Sequence, residues 1–173
     1  MSEHVSSAAP RGRAYWIRTI AYWIFTLLVA YEMVAGGFWD LLGIEYVRGV
    51  LKHLGYPMLL LFVMGVWKIP CALALLAPRF PRLKEWAYAG AFINYWGAFA
   101  SHVSIGDGPK SSVWPLAYLI FTFVSWGLRP AERRLASATP QPETRPVAWL
   151  APLLIVAAMA ILALATLPKG SPF

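Results

Sequence analysis

The chain has 173 residues, of which 59% are hydrophobic, 15% aromatic and only 13% charged, a balance outside the range of soluble domains. Its formal charge of +7 does not point to nucleic acid, because the Lys and Arg residues gather at the ends of apolar segments and form no continuous basic surface. The single cysteine, Cys71, lies inside an apolar run, which excludes an intramolecular disulfide and a Cys-x-x-Cys redox pair.

In chain order, residues 1–13 are polar and proline-interrupted and read as a flexible cytoplasmic tail. A first apolar span is predicted from Ala14 to Gly36, uncleaved, since no small-x-small site follows its core. Gly36-Gly37 reads as a break. From Phe38 to Tyr56 charged residues mix with Leu, Ile and Val so that Leu42, Val47, Val50, Leu51 and Leu54 can share one side while Glu45, Arg48 and Lys52 take the other. That pattern predicts a short amphipathic helix lying in the membrane interface near 38–56.

Pro57 and Pro78 bracket a second span, kinked at Pro70, where a backbone donor is missing. A third span runs from about Leu83 to Val103, the run Gly106-Asp107-Gly108-Pro109 is a turn, and a fourth span follows from Ser112 to Leu128. Residues 130–145 are rich in Pro, Ala and charge and read as an irregular cytoplasmic linker before a fifth span at 146–167. The expected fold is an all-α membrane protein, a four-helix transmembrane bundle over 14–129 plus a fifth C-terminal transmembrane helix.

Counting basic residues at the span ends gives the orientation. Arg11, Arg13, Arg18, Arg79, Arg82, Lys84, Arg129, Arg133, Arg134 and Arg145 fall on the side of the N-terminus, against Arg48, Lys52, Lys110 and Lys169 on the other. The N-terminus is therefore expected in the cytoplasm and the C-terminus outside.

Lys68 stands within the second span, where an unpaired charge costs roughly 2.5 to 3.5 kcal/mol even on insertion scales. Glu32, in the outer half of the first span, is its expected partner. On the third span Ala87, Gly90, Ala91, Asn94, Gly97, Ala98, Ser101 and His102 recur at three- and four-residue spacing, a small and polar face of the kind that lets helices approach closely. Asn94 and His102 would then share the interior with Glu32 and Lys68. His102, Asp107 and Glu32 invite a metal reading, but nothing has ligand spacing such as His-x-x-x-His, so no metal is expected. The candidate polar pocket is Glu32, Lys68, Asn94, His102 and Asp107, and the competing reading is that these residues only fix helix packing.

These residues occur in an order that resembles the DoxX-like family of small bacterial membrane proteins. Glu32 lies in the first span, His53-Leu-Gly-Tyr-Pro57 before the second, Trp67-Lys68 within it, Pro78-Arg-Phe-Pro-Arg-Leu-Lys-Glu-Trp-Ala-Tyr-Ala-Gly90 across the turn, then Ser101-His102 and Gly106-Asp107. The resemblance covers about Tyr22 to Pro130 and implies a four-helix core in a bacterial inner membrane, from which the fifth span departs. It also implies an association with quinone-linked sulfur oxidation and membrane-anchored oxidoreductase assemblies, although kinship of fold does not carry an activity across. The expected function is a membrane subunit, or a component binding a quinone-like molecule, in a redox-linked assembly. Its partners would be the bilayer and an oxidoreductase subunit or a second copy of the chain, with a non-catalytic scaffold or a small permease as alternatives.

Overall fold

The structure is a computed structural model that describes residues 12–135 and 146–172. The expected tail up to residue 11 and the expected linker over 136–145 lie outside the described residues. Six α-helices follow one another: α1 (Arg13–Leu42), α2 (Glu45–Leu54), α3 (Leu59–Leu76), α4 (Pro81–Ser104), α5 (Pro109–Leu128) and α6 (Leu150–Ala165). Short 3-10 turns occupy Ala131–Arg133 and Pro146–Trp149, and the described residues contain no strand. This is an all-α membrane protein, with α1, α3, α4 and α5 as a bundle and α6 packed against it. Four helical stretches, α1, α3, α5 and Pro146–Ala165, are long and apolar enough to cross a membrane. α4 is less apolar but runs 24 residues, and it packs on both α3 and α5.

α1 is the central helix, in contact with α3, α5 and α6. Its buried residues Tyr22, Thr26, Val29, Ala30, Met33, Val34, Gly37 and Asp40 recur every three or four positions, the helical period that puts them on one face. The core gathers Val29, Ala30, Met33 and Val34 with Ala72, Leu75 and Leu76 of α3 and Ala91 and Tyr95 of α4.

The expected break at Gly36-Gly37 does not occur. α1 continues to Leu42 and stops only at Gly43, whose left-handed backbone (φ 55°) sends its N–H back to the carbonyl of Asp40. The glycines serve close packing instead. A Cβ on Gly37 would lie 2.9 Å from Ile69 Cγ1, and one on Gly65 of α3 would lie 2.6 Å from Leu41 Cγ and 2.9 Å from the Gly37 carbonyl oxygen. Small residues on both helices bring α1 and α3 together, and the helix that passes through this contact carries Asp40 into the bundle. The amphipathic stretch is correspondingly shorter than expected, Glu45–Leu54, with Val47 and Leu51 buried against Leu61 of α3.

At the opposite end of α3, Lys84 is fully buried. Its ammonium donates to the carbonyl oxygens of Ala74 (2.9 Å), Leu75 (3.0 Å) and Ala77, three of the acceptors that a helix C-terminus leaves open. Arg133 adds hydrogen bonds to the Leu75 carbonyl and the Tyr22 hydroxyl, each 3.2 Å, with its guanidinium 4.6 Å from the Trp23 ring centre. Arg129 pairs with Glu85 at 2.8 Å. The chain after α5 is thus packed on the bundle through Arg134, where the sequence suggests irregular linker. Arginine side chains in this stretch seal helix ends, a role that hydropathy does not register.

Candidate functional site

Between α3 and α4 lies a groove of about 1130 Å³. At one end the two helices touch, the Cys71 thiol donating to the Ala87 carbonyl oxygen at 3.3 Å. At the other end α2 bridges the gap, through a 2.8 Å hydrogen bond between the Tyr56 and Ser101 hydroxyls and through Asp107, which His53 Nε2 approaches at 2.8 Å and His102 Nδ1 at 2.6 Å. Between these closures a Cβ built on Gly90 or Gly97 would meet no atom within 4 Å. The small face of α4 therefore leaves space where close helix packing is expected from sequence. Side chains of α1 and α2, among them Tyr31, Trp39, Val50 and Leu54, line the space between α3 and α4.

The floor of the groove is polar. Lys68 Nζ lies 2.9 Å from Asp40 Oδ2 and 3.8 Å from Glu32 Oε1. Tyr95 donates its hydroxyl proton to Glu32 Oε2 at 2.5 Å and stacks on Tyr118, ring centres 5.4 Å apart. Asp40 Oδ2 is within ion-pair range of Nζ. It is buried without a hydrogen-bond partner among the described residues. The Lys68 ammonium is the one charge that holds it, a sparse set of partners for a buried carboxylate. Gly36 completes the geometry: a Cβ there would sit 2.9 Å from Glu32 Oε1 and 3.0 Å from Lys68 Nζ, so a side chain would fill the space the charged groups occupy.

Of the residues singled out from sequence, Glu32, Lys68, Asn94 and His102 all border this groove. Asn94 makes no hydrogen bond to another described residue and is half-buried. His102 does not join the charged cluster; its partner is Asp107, which also accepts from His53 and ties the α4–α5 turn to the end of α2. Hydrogen bonds from His102 and then from His53 hold the Asp107 carboxyl below the usual carboxylate range. A carboxylate can only accept, so each imidazole carries its proton on the nitrogen that faces it. Glu32 has other partners, and among the described residues no group of three His, Cys, Asp or Glu side chains is arranged to hold a metal ion.

Sequence reasoning missed Asp40 and Tyr95. Asp40 was hidden by reading Gly36-Gly37 as a break; continuing the spacing of Met33, Gly36 and Gly37 by one turn would have placed it on the same face. Tyr95 gave no signal, since an aromatic residue in an apolar span looks like core. A second polar network also escaped notice. Thr26, Ser125 and Tyr88 join α1, α5 and α4 through two 2.7 Å hydrogen bonds.

The DoxX-like family model matches residues 24–125 of the chain, which include every residue of the groove cluster and of the Asp107 clip. The chain belongs to the DoxX-like family. The match runs from within α1 to near the end of α5, leaving α6 outside the DoxX-like core although α6 packs on α1 and accepts a hydrogen bond from Trp39 at the Ala163 carbonyl oxygen. Comparisons with curated proteins and with solved structures find no match.

Proposed function

We propose that this DoxX-like protein is a membrane component of a redox-linked assembly, and that its α3/α4 groove binds a flat, lipid-borne molecule of the quinone class. The observation that carries the reading is the groove itself, its volume just above the roughly 300–1,000 Å³ of typical small-molecule sites. Aromatic side chains including Trp67, Trp86 and Trp114 border it, with Lys68, Glu32 and Asn94 among its polar groups. A quinone needs an apolar slot with a few hydrogen-bonding groups at its carbonyl oxygens. Lys68 and Asn94 can donate, and the Glu32 and Asp40 carboxyls can exchange a proton. The bland reading, in which the polar residues serve only to pack helices, accounts for Lys84 but not for a groove in which Asn94 has no hydrogen-bond partner among the described residues and a Cβ on either of two α4 glycines would meet nothing within 4 Å.

The topology belongs to the same proposal: N-terminus cytoplasmic, C-terminus outside, in a bacterial inner membrane, with the charged cluster in the outer half. The division of basic residues supports it. A reporter fused after the C-terminus should be active only outside the cytoplasm, and cytoplasmic activity with all helices inserted would overturn it.

Ligand binding is tested by titrating the detergent-purified protein with a short-chain benzoquinone while following tryptophan fluorescence. Saturable quenching that is lost when Gly97→Leu fills the groove is the expected result. Linear quenching, the same in wild type and variant, would remove the groove from the reading.

A further inference from the structure

The charges at the floor of the groove do not balance. One ammonium, Lys68, serves two carboxylates, Asp40 at 2.9 Å and Glu32 at 3.8 Å. Asp40 is only 4% exposed, and the side chains of Lys68 and Glu32 are 12% and 24% exposed. The ionisable groups from the surrounding helices on which the Glu32 charge acts are Cys71 of α3, Tyr95 of α4 and Tyr118 of α5, none of them a cation; the Arg48 guanidinium of α2 lies 3.2 Å from where a Cβ on Gly43 would stand and forms no ion pair with either carboxylate among the described residues. Lys110 borders the outer end of the groove but is exposed and forms no ion pair with either carboxylate among the described residues. Tyr95 supplies a hydrogen bond to Glu32, and nothing equivalent reaches Asp40 Oδ2.

Two ionised carboxylates around one ammonium would leave a whole negative charge in a site that water reaches poorly, and buried like charges resolve such a conflict by taking up a proton. We propose that Glu32 and Asp40 jointly hold one exchangeable proton in the unoccupied protein. The groove then presents a proton to the oxygen of whatever molecule enters it. The proton belongs to the pair, because both carboxyls face the same ammonium. This gives Gly36 a reason: its missing side chain leaves both Glu32 Oε1 and Lys68 Nζ room to shift as the proton moves between partners. What the proton is used for rests on the ligand proposed above, whereas its presence does not. The chemical class that fits is a molecule with a phenolate oxygen that accepts a proton on binding, and the step is a plain acid–base exchange in which the carboxyl O–H breaks and the ligand O–H forms; a carbonyl oxygen at the same place would accept a hydrogen bond from the carboxyl without transfer.

The test needs no ligand. Infrared spectra of the protein in a lipid film at neutral pH should show one protonated-carboxyl C=O band that shifts on exchange into D2O. Glu32→Gln and Asp40→Asn should each abolish it, because the remaining carboxylate then pairs one-to-one with Lys68, and Lys68→Met should enlarge it about two-fold. Absence of the band in wild type overturns the proposal whatever the variants do, so a variant that fails to fold does not protect it. A band that survives in both single carboxyl variants also overturns it, by placing the proton elsewhere. If the band behaves as expected and benzoquinone does not bind, the proton site stands and the ligand class is wrong. The converse pair of results leaves the ligand reading standing without the proton.

Discussion

The bundle buries two lysines, and they differ in how completely they are satisfied. Lys84 spends its three ammonium protons on three carbonyl oxygens at the end of α3 and is 0% exposed. Lys68 stands between two carboxylates with no comparable alignment, at the floor of a groove. A cation whose donors are all used has none left for a ligand. One whose donors are not all aligned on protein acceptors retains that capacity. The comparison separates structural from functional burial in one protein: residue type and depth are shared, and hydrogen-bond completeness is the difference.

The largest effect expected from breaking this comparison is at Lys84. Lys84→Met keeps the aliphatic stem but leaves the Ala74 and Ala77 carbonyls without their side-chain donor and Leu75 with Arg133 alone, at about 1 to 3 kcal/mol for each that stays buried and unsatisfied. Thermal stability in detergent should fall far enough to impair recovery of folded protein. Lys68→Met should cost less, about 1 to 3 kcal/mol, since Glu32 keeps its hydrogen bond from Tyr95 and its side chain is 24% exposed. Thermal midpoints of the two variants measured side by side decide the ranking. If Lys68→Met is the more damaging, the groove cluster holds the fold together as tightly as the helix cap does and loses its claim to spare capacity.

Glycines give a second, smaller contrast. Gly65 of α3 has Leu41 and the Gly37 backbone against it, and Gly97 of α4 has open space. Gly65→Ala should destabilise by about 1 to 3 kcal/mol through overpacking of the α1/α3 contact. Gly97→Ala should be neutral or slightly stabilising, because alanine is the better helix former by about 1 kcal/mol. Equal losses at both positions would mean that α4 packs closely against another element at Gly97, and the groove would not exist in solution.

Much of this architecture was legible in the sequence, for identifiable reasons. Hydropathy marks α1, α3, α5 and α6 because lipid imposes apolarity on a whole span, and the DoxX-like order of motifs places Glu32 and Lys68 on adjacent antiparallel helices. Where reading failed, the missing information was three-dimensional. Lys84 looks like an interfacial basic residue because sequence does not reveal that the α3–α4 turn, with left-handed Arg79 and Phe80 (φ 60° and 53°) followed by Pro81, folds it back under α3. Gly90 and Gly97 have the spacing of a packing seam, and only the position of α2 shows that nothing packs there. Asp40 belongs to both lessons: a helix that did not end at its glycines carried a charge from the expected interface into the core.

The smallest expected effect lies at the mouth of the groove, where Asp107 ties α2 to the α4–α5 turn. Its carboxyl is held below the usual range by hydrogen bonds from His102 and His53. A group whose folded value is lowered stabilises the fold above its unfolded value, about 3.9 for aspartate, and loses that contribution as pH falls through the lower folded value. The difference in thermal midpoint between wild type and Asp107→Asn should therefore be full at pH 5 and shrink as the pH is taken below about 4, since the asparagine variant has no proton to gain at this position. High salt should reduce the same difference where water reaches the charges. A difference that widens on acidification would mean that Asp107 prefers its neutral form in the folded protein. The two histidines would then hold α2 in place by some other contact, and the closure of this end of the groove would not depend on the Asp107 charge.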